Sequence, residues 1–167
     1  ELIGSNIKPI LIGGEHSVSI GSVKALCGKE ESNDLSDITV IHLDAHRDII
    51  DTYIGEKDSH ATIMRRVYDL NPKELIQIGI RSFSIEEKEF VEGQKNICSF
   101  LAKDLFDDFD ALLEKLDSIE GKLYISIDMD AIDPAFAPSV GNPTPNGLHP
   151  IDVENIFETL ANNENID

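Results

Sequence analysis

The 167-residue sequence predicts an α/β protein: a three-layer αβα arrangement around a mainly parallel sheet, in one domain spanning 1–167. Two observations carry this. Short β-rich apolar runs alternate with longer stretches whose apolar residues recur at helical spacing, and strands alternating with helices imply parallel pairing with both sheet faces covered. The apolar fraction of 41% and charged fraction of 28% are those of a globular chain, and no apolar run approaches the roughly 20 residues that span a bilayer.

Five runs read as buried strands: Pro9 to Ile12, Thr39 to Leu43, Leu75 to Ile80, Asn96 to Phe100 and Leu123 to Ile127. Between and after them, Ser17 to Cys27, Ser59 to Leu70, Ile85 to Val91, Asp107 to Leu116 and Asp152 to Leu160 read as helices, with Ser17, Ser59, Ser84 and Asp152 as caps. The loop Ala135 to Pro150 holds four of the seven prolines and two glycines, too long and Pro-rich for a simple connector, and is expected to shape a pocket rim. The chain opens on Glu1 and closes in polar residues after its last helix, so it is expected to be an incomplete piece of a longer protein. No basic segment followed by an apolar core opens it, which makes the cytoplasm the expected compartment.

A formal net charge of −18 excludes nucleic acid and membrane surfaces as expected partners, since both select a basic face. Cys27 and Cys98 lie far apart in unrelated apolar contexts and read as small buried hydrophobes without an assigned role.

Ligands of open parallel sheets bind outside the carboxyl ends of the strands, and three such ends carry chemistry. Gly13-Gly14-Glu15-His16-Ser17 delivers His16 just before a helix. In Asp44-Ala45-His46-Arg47-Asp48, alternation in extended chain points Asp44, His46 and Asp48 one way, with Ala45 and Arg47 elsewhere. Asp128-Met129-Asp130 repeats the device. Four carboxylates packed together suppress one another's ionisation unless a cation joins them. An oxygen-rich set with two imidazoles suits Mn²⁺ or Mg²⁺, and six ligands are more than one catalytic ion takes. Two divalent ions (+4) against four Asp (−4) make a neutral cage, which turns negative once a shared water ionises and then favours a cationic guest.

Those three motifs, with Ser59-His60-Ala61-Thr62 and Ser126-Ile127-Asp128-Met129-Asp130-Ala131-Ile132-Asp133-Pro134, resemble the ureohydrolase (arginase/agmatinase) family in order from Ile10 to about Leu148. The loop Asp51 to His60 looks like that of archaeal-type agmatinases, and Asp133 to Pro138 is similar to the segment that follows the last metal ligands there. The resemblance implies an arginase/deacetylase-like fold and two Mn²⁺ ions bridged by Asp44 and Asp128. His16 and Asp48 would complete one ion's ligands, His46 and Asp130 the other's; a bridging hydroxide would be the nucleophile and His60 the proton shuttle. It also implies a homo-oligomer, trimer or hexamer. Arginases place an Asn and a Ser after the second motif to grip the α-carboxylate of arginine; that pattern is missing after Asp48, which favours agmatine, cleaved to putrescine and urea. Arginase, guanidinobutyrase and formiminoglutamase are the alternatives within the family. A zinc deacetylase-like amidohydrolase and a metal-binding subunit without catalysis are the alternatives outside it. Glu15 and Ala61 replace the commoner Asp and Gly, and the family's guanidinium-binding carboxylate has no counterpart up to Asp167. From the residues alone, His42 reads as a satisfied core histidine and His149 as a loop residue.

Overall fold

The structure is a computed structural model that describes residues 8–28 and 34–167. Its strands are β1 (Ile38–Leu43), β2 (Glu74–Ile80), β3 (Ile97–Leu101) and β4 (Lys122–Ile127). They form one sheet in the order β3-β2-β1-β4, every neighbouring pair parallel. The helices are α1 (Val18–Cys27), α2 (Ile63–Tyr68), α3 (Ile85–Glu92), α4 (Ala102–Leu105), α5 (Asp110–Asp117) and α6 (Pro150–Asn162).

Strand alternation sorts the core into two layers. Ile38 and Val40 of β1 pack with Val23, Ile63, Met64 and Val67, from α1 and α2, on one face. Ile41 and Leu43 pack with Leu112, Leu116, Ile156 and Leu160, from α5 and α6, on the other. Each fully buried Ile or Leu contributes about 1.5–3 kcal/mol relative to exposure, which commits β1 to the middle of the sandwich. The predicted three layers are therefore observed.

Several element readings change. Pro9 to Ile12 is not a buried strand: Ile10 is 89% and Ile12 92% exposed, and the run pairs with no strand among the described residues. An apolar run reports a tendency to be covered, but a strand also needs a neighbour's free edge, and Pro9 has no N–H to give one. The predicted helix Ser59 to Leu70 divides into a 3₁₀ turn, His60–Thr62, and α2, because the Thr62 hydroxyl accepts the Ser59 N–H and donates to the Lys57 carbonyl. The helix expected from Asp107 starts at Asp110, where Asp108 accepts the Ala111 N–H; the short α4 before it carried no separate sequence signal.

Among the caps, Ser84 behaves as expected, accepting the Glu87 N–H at 3.2 Å while Glu87 accepts from the Ser84 N–H at 2.7 Å. Ser17 does not cap; its backbone is helical and its hydroxyl donates to Glu15. Asp152 sits three residues inside α6, where it accepts the N–H of His149, the true cap ahead of Pro150. The His149 ring also lies tilted against Phe136 of the loop, centroids 5.0 Å apart.

Candidate metal centre

The parallel register sets the ends of β1 and β4 side by side, with Leu43 opposite Ile127, so the residues that follow both strands emerge together. Asp44 comes first and is 1% exposed. Its Oδ2 lies 3.3 Å from His16 Nδ1 and 2.8 Å from His42 Nε2, while its Oδ1 lies 3.3 Å from His46 Nδ1. Asp48 Oδ2 stands 2.9 Å from His16 Nδ1. Asp130 Oδ2 stands 3.2 Å from His46 Nδ1, and its Oδ1 accepts the Ala45 N–H. Asp128 Oδ2 is further out, 3.8 Å from His16 Nδ1, with Oδ1 accepting the Asp130 N–H. Five of the sequence-predicted metal residues, His16, Asp44, His46, Asp48 and Asp130, thus meet at one end of the sheet; Asp128 stands at their edge, outside the sets of donors that lie within 4.8 Å of one another.

The route by which they meet differs from simple alternation. Asp44 and His46 follow it, with Arg47 turned away to donate to Gln77 and Ser99. Asp48 does not: its φ of 51° is left-handed, an uncommon conformation for a residue with a side chain and typical of strained functional positions. Asp130 comes round on a 3₁₀ turn, Met129–Ala131, capped by Asp128.

The donors form two overlapping groups, His16/His42/Asp44/Asp48 and Asp44/His46/Asp130, each with ligand atoms within 4.8 Å of one another. Asp44 belongs to both. Burial pushes Asp44 up, but the imidazoles of His42, His16 and His46 outweigh it and hold the carboxyl well below the usual range. Burial raises Asp48 and Asp128, and the Asp44 charge adds to both. Burial opposes a proton on His16, yet Asp44 and Asp48 lift it to about 10; hydrogen bonding to Asp130 and Asp44 lifts His46 to about 10. Four carboxylates stand here against three imidazoles, and divalent cations fit such an oxygen-rich donor set.

Around it stand residues without an assigned role in the sequence reading. Ser126 Oγ is 2.9 Å from His16 Nε2. His42 is indeed a satisfied core histidine, held between Asp44 and Gln77. Arg81 donates to five backbone carbonyls, and Asn142 reaches His46 Nε2 at 2.9 Å. A polar Ser126 and Gln77 inside apolar strands were the available signals; nothing local marks Asn142. The loop 135–150 reaches this end of the sheet through Asn142 and through the Thr144 and Pro145 carbonyls on Arg81. His60 is not drawn into the cluster: its side chain is 56% exposed, 3.4 Å from Glu15 and edge-on to Tyr53.

The model of the Arginase family matches residues 1–167, the whole chain. The chain belongs to the arginase family. Among arginase-family relatives it is 36% identical over 164 residues to an agmatinase of Bacillus anthracis, covering 97% of this chain and 53% of that one. It is 38% identical over 157 residues to the mitochondrial arginase 1 of Arabidopsis thaliana, covering 92% of this chain and 44% of that one. The crystal structure of the agmatine ureohydrolase of Thermoplasma volcanium superposes with a TM-score of 0.76 at 37% identity, over 92% of this chain and 50% of that one. The chain spans about half the length of the curated relatives it matches. Arginase-family proteins use a binuclear metal site, and this chain carries candidate ligands for one. No described helix is long and apolar enough to cross a membrane.

Proposed function

We propose that the protein is a dimanganese hydrolase of a guanidino compound, agmatine, cleaved to putrescine and urea. The observation that carries this reading is the sharing of Asp44 between two donor groups, the arrangement a pair of ions needs. Asp44 and Asp128 would be the bridging carboxylates, with His16 and Asp48 on one ion and His46 and Asp130 on the other. The chemistry such a pair supplies is a water acidified toward neutrality and a template for the guanidinium carbon.

The chain's own residues supply the rest. Four Asp facing a pair of divalent ions would leave little positive charge at the strand-end crevice, which tolerates a cationic guanidino substrate. His42 and Ser126 fix Asp44 and His16 from behind, so neither ligand must reorganise. His60 would carry a proton to the departing amine, with Glu15 Oε1 orienting its Nδ1. Agmatine ranks ahead of arginine because no Asn and Ser follow Asp48 to hold an α-carboxylate. A homo-oligomer, trimer or hexamer, belongs to the same proposal, and light scattering of a monodisperse monomer would refute that part.

The test is urea release by Mn²⁺-loaded full-length protein from agmatine, arginine, guanidinobutyrate and formiminoglutamate. Agmatine is expected to give the highest kcat/KM. Neither urea nor formamide from any of the four would overturn the reading.

A further inference from the structure

The two ring nitrogens of His46 face different surroundings. Nδ1 looks into the cluster, 3.3 Å from Asp44 Oδ1 and 3.2 Å from Asp130 Oδ2. Nε2 looks outward and meets Asn142 Nδ2 at 2.9 Å, across 96 positions of sequence. A neutral imidazole has one N–H and one lone pair. If Nδ1 gives its lone pair to a cation, the proton must reside on Nε2, and Nε2–H then needs an acceptor. The Asn142 amide offers one: half a turn about its Cβ–Cγ bond exchanges Nδ2 for Oδ1 in the same volume.

Asn142 is not held by its own loop alone. Arg81, at the end of β2, spends its guanidinium entirely on backbone. Its Nη2 donates to the carbonyls of Asp130 at 2.6 Å and Thr144 at 2.7 Å. Its Nε donates to Thr144 and Pro145, and its Nη1 to Gly79 and Ala131. One planar fork therefore ties together the strand end, the turn carrying Asp130, and the segment two residues after Asn142. Gly147 lets the backbone come this close, since a Cβ there would lie 2.6 Å from Arg81 Nη2.

We propose that Asn142 is a positioning residue for His46: its amide oxygen accepts the Nε2–H and so holds Nδ1 as the metal-facing nitrogen, while Arg81 braces the loop that places it. This rests on the reading of His46 as a ligand. Loss of such an outer partner costs about 10–100-fold in metal affinity.

Mn²⁺ binding to the metal-free full-length protein, followed by titration calorimetry and by electron paramagnetic resonance, separates the possibilities. Asn142→Ala is expected to weaken one of the two ions by about 10–100-fold while leaving the melting temperature of the metal-free protein unchanged. Asn142→Asp restores an acceptor and is expected to keep affinity near wild type. Arg81→Lys keeps the charge but not the fork, and should weaken the same ion; because the fork also holds the Asp130 and Ala131 carbonyls, its effect should exceed that of Asn142→Ala, and the double change should weaken binding by less than the two single effects combined. His46→Ala is the control. If it loses one ion while Asn142→Ala binds both as wild type, the positioning role is overturned and the ligand reading stands. If His46→Ala also binds both ions unchanged, the ligand reading itself falls. Equal weakening by Asn142→Ala and Asn142→Asp overturns the acceptor role.

Discussion

His16 Nδ1 lies 2.9 Å from Asp48 Oδ2, although the first residue precedes the sheet and the second follows its central strand. The contact ties the segment before α1 to the left-handed turn at Asp48. It also places an imidazole and a carboxylate on the same side of Asp44, where a second group, His46 and Asp130, occupies the other.

Asp44→Asn is the substitution expected to damage metal binding most, because this carboxylate alone belongs to both donor groups. Both Mn²⁺ ions should weaken by more than the roughly 100-fold that an outer partner's loss costs. Metal counting after dialysis checks this; two ions retained at unchanged affinity would rule out a shared role.

His60→Ala should leave metal content intact and lower kcat by about 10²–10⁴-fold, the usual worth of a positioned proton donor. The separation is expected because His60 lies against Glu15 and Tyr53 rather than among the candidate ligands. An unchanged kcat in steady-state assays removes it from the mechanism.

Gly147→Ala would set a Cβ 2.6–2.8 Å from Arg81 Nη2, the Asp133 N and the Ala131 carbonyl oxygen. Two of those atoms are backbone and cannot swing aside, so a loss of about 1–3 kcal/mol is expected, read from urea unfolding. A stability equal to wild type would show that the loop shifts freely.

Gln77→Ala should cost about 1–3 kcal/mol, because it strands buried polar groups. Gln77 accepts from Arg47 Nη1 at 2.9 Å, donates to the Arg47 carbonyl at 2.8 Å and faces His42 Nδ1. Replacement by Leu tests the cause: if Ala and Leu are equally harmless, these contacts contribute nothing measurable.

Acid should loosen the rim loop. The N–H groups of Ala135, then Gly147, hold the Asp133 carboxyl below its usual range, with Arg81 adding to the effect. A depressed folded-state pKa contributes stability above the ordinary value of about 3.9, lost as pH falls through the folded value. The stability difference between wild type and Asp133→Asn should therefore be constant from pH 7 to about 5 and shrink below about 4. A difference that is flat down to pH 2 would exclude the linkage.

Local pattern was enough for the layer architecture, the parallel sheet and the placing of Asp44, His46 and Asp128 after β1 and β4, because each depends on period and on where strands end. Ser84 was legible as a cap for the same reason, its partner Glu87 being three residues away. Asp152 was misplaced because Pro150 sets the start of α6 and a cap and its N3 partner look alike in sequence.

Pairings across long separations were decided elsewhere. Ile10 to Ile12 has a strand's composition yet lies exposed, since pairing depends on which edge is offered to it. The left-handed turn at Asp48 and the 3₁₀ turn at Asp130 replace the alternation their spacing suggested, because the backbone there answers to the cluster rather than to a ladder. Arg81 and Asn142 are ordinary residues in a list. They come beside the candidate ligands only once β2 and the loop 135–150 are folded against β1 and β4, where short-range hydrogen bonds join residues that the chain itself keeps far apart.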